Sequence, residues 1–129
     1  MRPSQLLHYD YSVAKLFMFS TIFFGIVGMA IGVLVAFQLA CPDLNYIAGE
    51  YSAFGRLRPL HTNGIIFGFM LSGIFATWYY IGQRVLKVSM SESPFLMFIG
   101  KLHFWLYILV MILAVVTLFM GESTSKEYA

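Results

Sequence analysis

Three stretches of this chain, residues 16–40, 59–83 and 102–121, contain no Asp, Glu, Lys or Arg. Each is 20 or 25 residues long. An α-helix rises about 1.5 Å per residue, so about 20 apolar residues cross the roughly 30 Å of bilayer hydrocarbon. The three runs are therefore read as transmembrane helices, the two longer ones with room to tilt. Inside a bilayer every backbone amide needs a partner from its own segment, and the helix supplies one. The expected fold class is an all-α membrane protein with three transmembrane helices.

Composition agrees: 60% of the residues are hydrophobic and 11% charged, against roughly 25% charged in soluble domains. The formal net charge of +2 is too small and too dispersed for a nucleic-acid footprint. One cysteine, Cys41, and three well-separated histidines leave neither an intrachain disulfide nor a zinc site of ordinary spacing. No ionisable acid or base sits near the middle of a span, which argues against an ion-coupled transporter. Residues 16–40 are too long for a cleaved export signal, whose apolar region is about 7 to 15 residues. Cys41 is read as an ordinary interfacial cysteine.

The segments between the runs set the topology. Residues 1–15, 84–101 and the two inner span ends carry Arg2, Lys15, Arg84, Lys87 and Lys101, while the other side carries Arg56, Arg58 and Lys126. Positive charge collects on the cytoplasmic side, so the N-terminal arm 1–15 and the loop 84–101 are expected in the cytoplasm. The loop 41–58 and the segment 122–129 are then outside. Trp78, Tyr79, Tyr80, Trp105 and Tyr107 lie near the expected inner interface. Pro59 suits the first turn of the second helix, and residues 94–101 form an apolar approach to the third.

His61 is the residue with most chemical promise. It opens the second run just inside the expected outer interface, and a neutral imidazole there is a ligand for a metal or haem iron. At about 100° per residue, Gly64, Gly68 and Ser72 fall on its side of the helix, a wall flat enough for a porphyrin. The same spacing also suits a small-residue packing face with His61 as an interfacial hydrogen-bonder, and spacing alone leaves both open. Arg56 and Arg58 stand on the side where a positive-inside protein disfavours arginine, which suggests compensation by carboxylates, lipid headgroups, Asp43 or Glu50. His103 begins the third run at the opposite interface, about 30 Å away in depth, so the two imidazoles are not expected to share one haem. Gly25, Gly28 and Gly32 in the first run permit close helix approach.

The stretch FGRLRPLHTN at 54–63, followed by an apolar helix and ATWYY at 76–80, resembles the catalytic subunit (subunit I) of cbb-type cytochrome c oxidases in the haem-copper oxidase superfamily. YDY at 9–11 and TSKEYA at 124–129 are similar too. The resemblance covers nearly the whole chain and corresponds to the N-terminal quarter of a larger helical bundle. It implies that His61 is the axial ligand of a low-spin haem b, that Arg58 with Arg56 lies near the haem propionates, and that Glu127 ligates calcium. It also implies a high-spin haem and copper in the complete subunit, on residues beyond this chain. The chain alone is then expected to be a fragment without oxygen-reductase activity. Its expected role is to pass electrons toward the oxygen-reducing centre of a terminal oxidase in the bacterial inner membrane. The remaining part of the catalytic subunit and c-type cytochrome subunits are the expected partners, with the lipid bilayer and no nucleic acid. Two rivals remain at this stage, the same segment of a nitric oxide reductase large subunit and a non-catalytic membrane scaffold without cofactor.

Overall fold

The computed structural model describes residues 8–121. Three long helices, α1 (Ser12–Ala40), α2 (Phe54–Leu86) and α3 (Pro94–Met120), run antiparallel in sequence, each long and apolar enough to cross a membrane. Short 3-10 turns at Pro42–Tyr46, Gly49–Ser52 and Met90–Glu92 fill the connections.

Local chemistry accounts for the ends. The Asp10 carboxylate accepts from the Ser12 amide at 2.8 Å and from the Ser12 hydroxyl, satisfying a free donor at the start of α1. Those two bonds hold the Asp10 carboxyl below its usual range, the hydroxyl bond first. Cys41, in an extended conformation ahead of Pro42, stops α1, because a residue before proline disfavours helical geometry. In α3, Ser93 accepts from the Leu96 amide and Pro94 takes the first helical position. Gly121 closes α3 in the left-handed region at φ 79°, where a Cβ is strained.

All three helices begin earlier than the uncharged runs, α1 at Ser12 and the other two by five and eight residues. α2 starts at Phe54, so Pro59 sits inside the helix and not in its first turn. The missing Pro59 N–H costs one bond to Gly55, an exposed residue whose carbonyl water can reach. α3 starts at Pro94, which makes 94–101 part of the helix. Both histidines are consequently deeper than the ends of the charge-free runs suggest.

α2 lies along α1 through small residues. A methyl at Gly28 would meet Ile65, one at Gly25 would meet Phe69, and one at Gly68 would meet Phe24. Toward the Ser12 end of α1 the core is aromatic: Phe17 is fully buried and packs with Val13, Ala76, Phe104, Tyr107 and Met111. Toward the other end Val35, Leu57, Leu60 and Leu118 form a smaller aliphatic cluster. Outward faces stay apolar, with Phe19, Leu39 and Val85 each 71% exposed, as expected of helices whose surroundings are hydrocarbon or further helices.

The loop ends are tied by buried amides. Gln83 donates to the Asp10 and Tyr79 carbonyls at 2.7 and 3.0 Å, and its carbonyl accepts from the Asp10 and Met90 amides. One side chain thereby joins the approach to α1, the end of α2 and the turn before α3. At the opposite end Gln38 donates to the Ser52 carbonyl at 2.6 Å and anchors the 42–52 connection.

Candidate functional site

His61 does not face outward on a bare helix. Its Nδ1 lies 2.7 Å from the Gly28 carbonyl of α1. A carbonyl oxygen only accepts, so Nδ1 carries the proton and donates. That fixes the tautomer and leaves the lone pair on Nε2, the arrangement by which a backbone carbonyl orients a metal-ligating imidazole.

The ring fits because α1 has no side chain opposite it. A Cβ at Gly32 would stand 2.5 Å from His61 Cε1 and 2.8 Å from Nδ1, inside van der Waals contact. One turn earlier, a Cβ at Gly28 would stand 2.7 Å from Ile65 Cδ1. Gly28 and Gly32 together form a slot that admits the imidazole and lets it reach the backbone. The sequence shows this glycine pair as a generic packing face; its partner, His61 with Ile65, emerges only from the structure.

The expected porphyrin wall is different from the one the spacing suggests. Gly68 lies under the Phe24 ring, and Ser72 is fully buried and bonded to the Thr21 hydroxyl at 2.9 Å. Of the three small residues only Gly64 has open space where its Cβ would be. The cause is the packing of α1 onto this face, combined with a change of helical pitch: residues Gly64–Met70 form a π-helix, which advances less per residue than the α-helix assumed from sequence. A cleft of about 350 Å³ opens on another side of α2, against α3, and is lined by Asn63, Phe67, Leu71, Tyr107 and Met111 among others.

The two arginines part company. Arg56 Nη1 donates to the Phe119 carbonyl at 2.9 Å, its guanidinium lies 5.2 Å from the Tyr51 ring, and Nη2 is 3.6 Å from a Glu50 oxygen. It caps the C-terminal end of α3, where the helix dipole favours a cation. The Glu50 contact is weak, because that carboxylate is 89% exposed. Arg58 is half-buried and three residues before His61, so it leaves α2 within about 60° of the imidazole's direction and nearer the helix start.

His103 occupies the other level. Its ring packs on Phe75 at 4.6 Å and on Phe17 at 5.2 Å between centroids, and its Nδ1 is 3.0 Å from the Tyr79 hydroxyl. His103 touches α1 at Phe17 and His61 touches it at Gly28 and Gly32, so the levels are separated by about 20 Å of helix rise. That is shorter than the separation expected from the charge-free runs, since both helices start earlier. It is still too far for the two imidazoles to ligate one haem iron. His8 is exposed ahead of α1.

Among the described residues no group of three or more His, Cys, Asp and Glu side chains comes together to hold a metal ion. Glu127, expected as a calcium ligand, lies outside the described residues. What the site presents is one oriented imidazole in an apolar span, with an arginine one turn nearer the helix start. This donor set fits a haem iron, which His61 would hold through Nε2.

Comparison with known proteins is consistent with that arrangement. Residues 12–129 match the family described as Cytochrome C and Quinol oxidase polypeptide I. The chain is 44% identical over 121 residues to the Cbb3-type cytochrome c oxidase subunit CcoN1 of Stutzerimonas stutzeri, covering 94% of this chain and 24% of that protein. It is 38% identical over 127 residues to a cytochrome c oxidase subunit 1 homolog of Agrobacterium tumefaciens strain T37, covering 98% of this chain and 22% of the relative. With cytochrome c oxidase subunit 1 of Rhodobacter capsulatus it shares 37% identity over 129 residues, 99% of this chain and 24% of the relative. The chain therefore spans about a quarter of the length of these relatives.

Proposed function

We propose, from the premise that this chain belongs to the cytochrome c and quinol oxidase polypeptide I family, that it is the segment of a cbb-type terminal oxidase that binds low-spin haem b. The observation that carries the reading is the His61 Nδ1 bond to the Gly28 carbonyl, which sets Nε2 free as a ligand atom. The similarity to a Cbb3-type relative supports the choice of oxidase class.

In this reading His61 would hold the haem iron through Nε2, and Arg58 would neutralise its carboxylates at the outer side of the span. Arg56 holds the end of α3 and keeps the neighbouring loop in place. When bound, the haem would supply reversible one-electron transfer, so the segment's role is to relay electrons toward the oxygen-reducing centre. The residues of this chain contribute ligand orientation and charge. Gly28 holds the imidazole proton through the redox cycle, Gly32 leaves the ring its place, and the apolar helices keep water away. The N-terminus is assigned to the cytoplasm and the 42–52 connection to the outer face, where c-type cytochrome subunits would meet it.

The test is the low-spin haem spectrum of the assembled oxidase. His61→Ala is expected to remove the low-spin haem signal, while His103→Ala, which alters the aromatic cage, is expected to retain it. A His61→Ala complex with its full low-spin spectrum would overturn the reading.

A further inference from the structure

The contacts between α2 and α1 recur every four residues. His61 meets Gly28 and Gly32, Ile65 meets Gly28, Phe69 meets Gly25, and Gly73 meets Thr21. A regular α-helix cannot keep such a row in line. Four residues overshoot a full turn by about 40°, so the three steps from His61 to Gly73 would drift by about 120°. The row stays on α1 because residues Gly64–Met70 widen to a π-helix, in which the Leu71 amide bonds back to the Ile66 carbonyl. The aim of His61 at the Gly28 carbonyl thus depends on a stretch of helix three to nine residues away.

A π turn is a poor helical geometry and needs support. Here the support comes from side-chain hydroxyls that reach carbonyls near its C-terminal end. Tyr107, from α3, donates a shared hydrogen bond to the Phe67 carbonyl at 2.7 Å and the Gly68 carbonyl at 2.9 Å. Ser72 donates to the Gly68 and Phe69 carbonyls, and Thr21 of α1 joins it at 2.9 Å. Tyr107 and Ser72 are buried, which strengthens these bonds relative to exposed ones. At the other end Asn63 and Thr62 donate to the Pro59 and Arg58 carbonyls, four residues back. Tyr107 is the donor that comes from outside the α1–α2 pair, and its ring is also wedged against Phe17, Phe24 and Phe75.

We propose that Tyr107 is a positioning residue for His61: its hydroxyl, reaching across from α3, holds the π turn of α2 and so keeps the imidazole seated in the Gly28–Gly32 slot. The third helix thereby sets the orientation of a side chain carried by the second. The consequence for haem rests on the reading of His61 as a ligand; the consequence for helix geometry does not.

Tyr107→Phe removes the hydroxyl and keeps the ring. Its assembled complex should be examined by cryo-electron microscopy and by electron paramagnetic resonance of the low-spin haem. The expected result is that residues 64–70 return to α-type pairing, the His61–Gly28 bond is lost, and the low-spin g-values shift with haem content retained. Ser72→Ala, made in parallel, removes the second donor and is expected to move the same features by less; it carries the test should Tyr107→Phe not assemble. Tyr79→Phe, which removes a hydroxyl of the aromatic level, is expected to leave the π turn and the g-values unchanged. Persistence of both the π pairing and the His61–Gly28 bond in Tyr107→Phe, or in Ser72→Ala where it alone assembles, would overturn the proposal. Loss of that bond with an unchanged low-spin signal would sustain the positioning role and overturn the ligand reading instead.

Discussion

The two histidines within the helices are held by opposite means. His103 sits among Phe17, Phe75 and Tyr79, where large rings fill the space and a phenol meets Nδ1. His61 sits where side chains are missing, against Gly28 and Gly32, and its bond is to main chain. A cage of side chains relaxes around a changed neighbour by rotamer shifts, whereas a slot bounded by backbone has nothing to rotate. The contrast teaches that His61 is the one whose position the fold prescribes. It also explains why one level reads as packing and the other as a site.

The largest expected effect comes from filling the slot. Gly32→Ala puts a methyl where the imidazole is, 2.5 Å from Cε1, and is expected to abolish most of the low-spin haem spectrum of the assembled complex. Gly82→Ala, with nothing within 4 Å of the added methyl, is the matched control and should leave the spectrum intact. Equal effects from the two would remove the distinction between slot and ordinary helix surface.

At the aromatic level the first effect should be on stability. Phe17→Ala removes the most enclosed ring of the core and is expected to cost about 3–5 kcal/mol, read by thermal unfolding in detergent. His103→Phe keeps the cage filled and loses the Tyr79 bond, at about 1 kcal/mol. Haem content should persist in His103→Phe. Were its low-spin spectrum to vanish, the comparison would be inverted.

A smaller effect separates the arginines. Arg58→Gln removes a positive charge on the His61 side, and a charge near a low-dielectric redox centre stabilises the reduced form. The low-spin haem potential is therefore expected to fall with haem content retained. Arg56→Gln should instead loosen the end of α3, since its guanidinium bonds the Phe119 carbonyl, and leave the potential nearly unchanged. Redox titration of the two complexes reads the difference directly.

The smallest effect lies at the start of α1, beyond both levels. Because hydrogen bonds from Ser12 depress the Asp10 carboxyl, its contribution to α1 is present above the ordinary carboxylate range and disappears as pH falls through the lower folded value. Amide protection in the first turn of α1, taken relative to intrinsic exchange at each pH, should be flat from pH 7 to about 5 and fall below about pH 4. In Asp10→Asn that acid-dependent loss of protection should be absent.

Much of the architecture was legible from residue order. Long charge-free runs located the spans, Pro42 and Gly121 marked helix ends, and a histidine opening a helix just after two loop arginines drew attention to 54–63. Less legible was how far each helix continues past its charged residues. Arg56 and Lys101 lie inside helices because long cationic side chains reach the interface while their backbone stays helical.

What the sequence determined by itself, then, was the number of spans and the candidate ligand, since both depend on local length and residue chemistry. Which faces meet was decided only by tertiary structure. In α1 and α3 apolar residues surround the whole helix, so hydrophobic periodicity carries little information about partners. Shape decides in its place: the absence of side chains at Gly28 and Gly32 admits His61, and the Arg56 guanidinium finds the free carbonyl of Phe119. The π turn at Gly64–Met70 is decided in the same way, because its supporting hydroxyl belongs to Tyr107, on another helix and some forty positions along the chain.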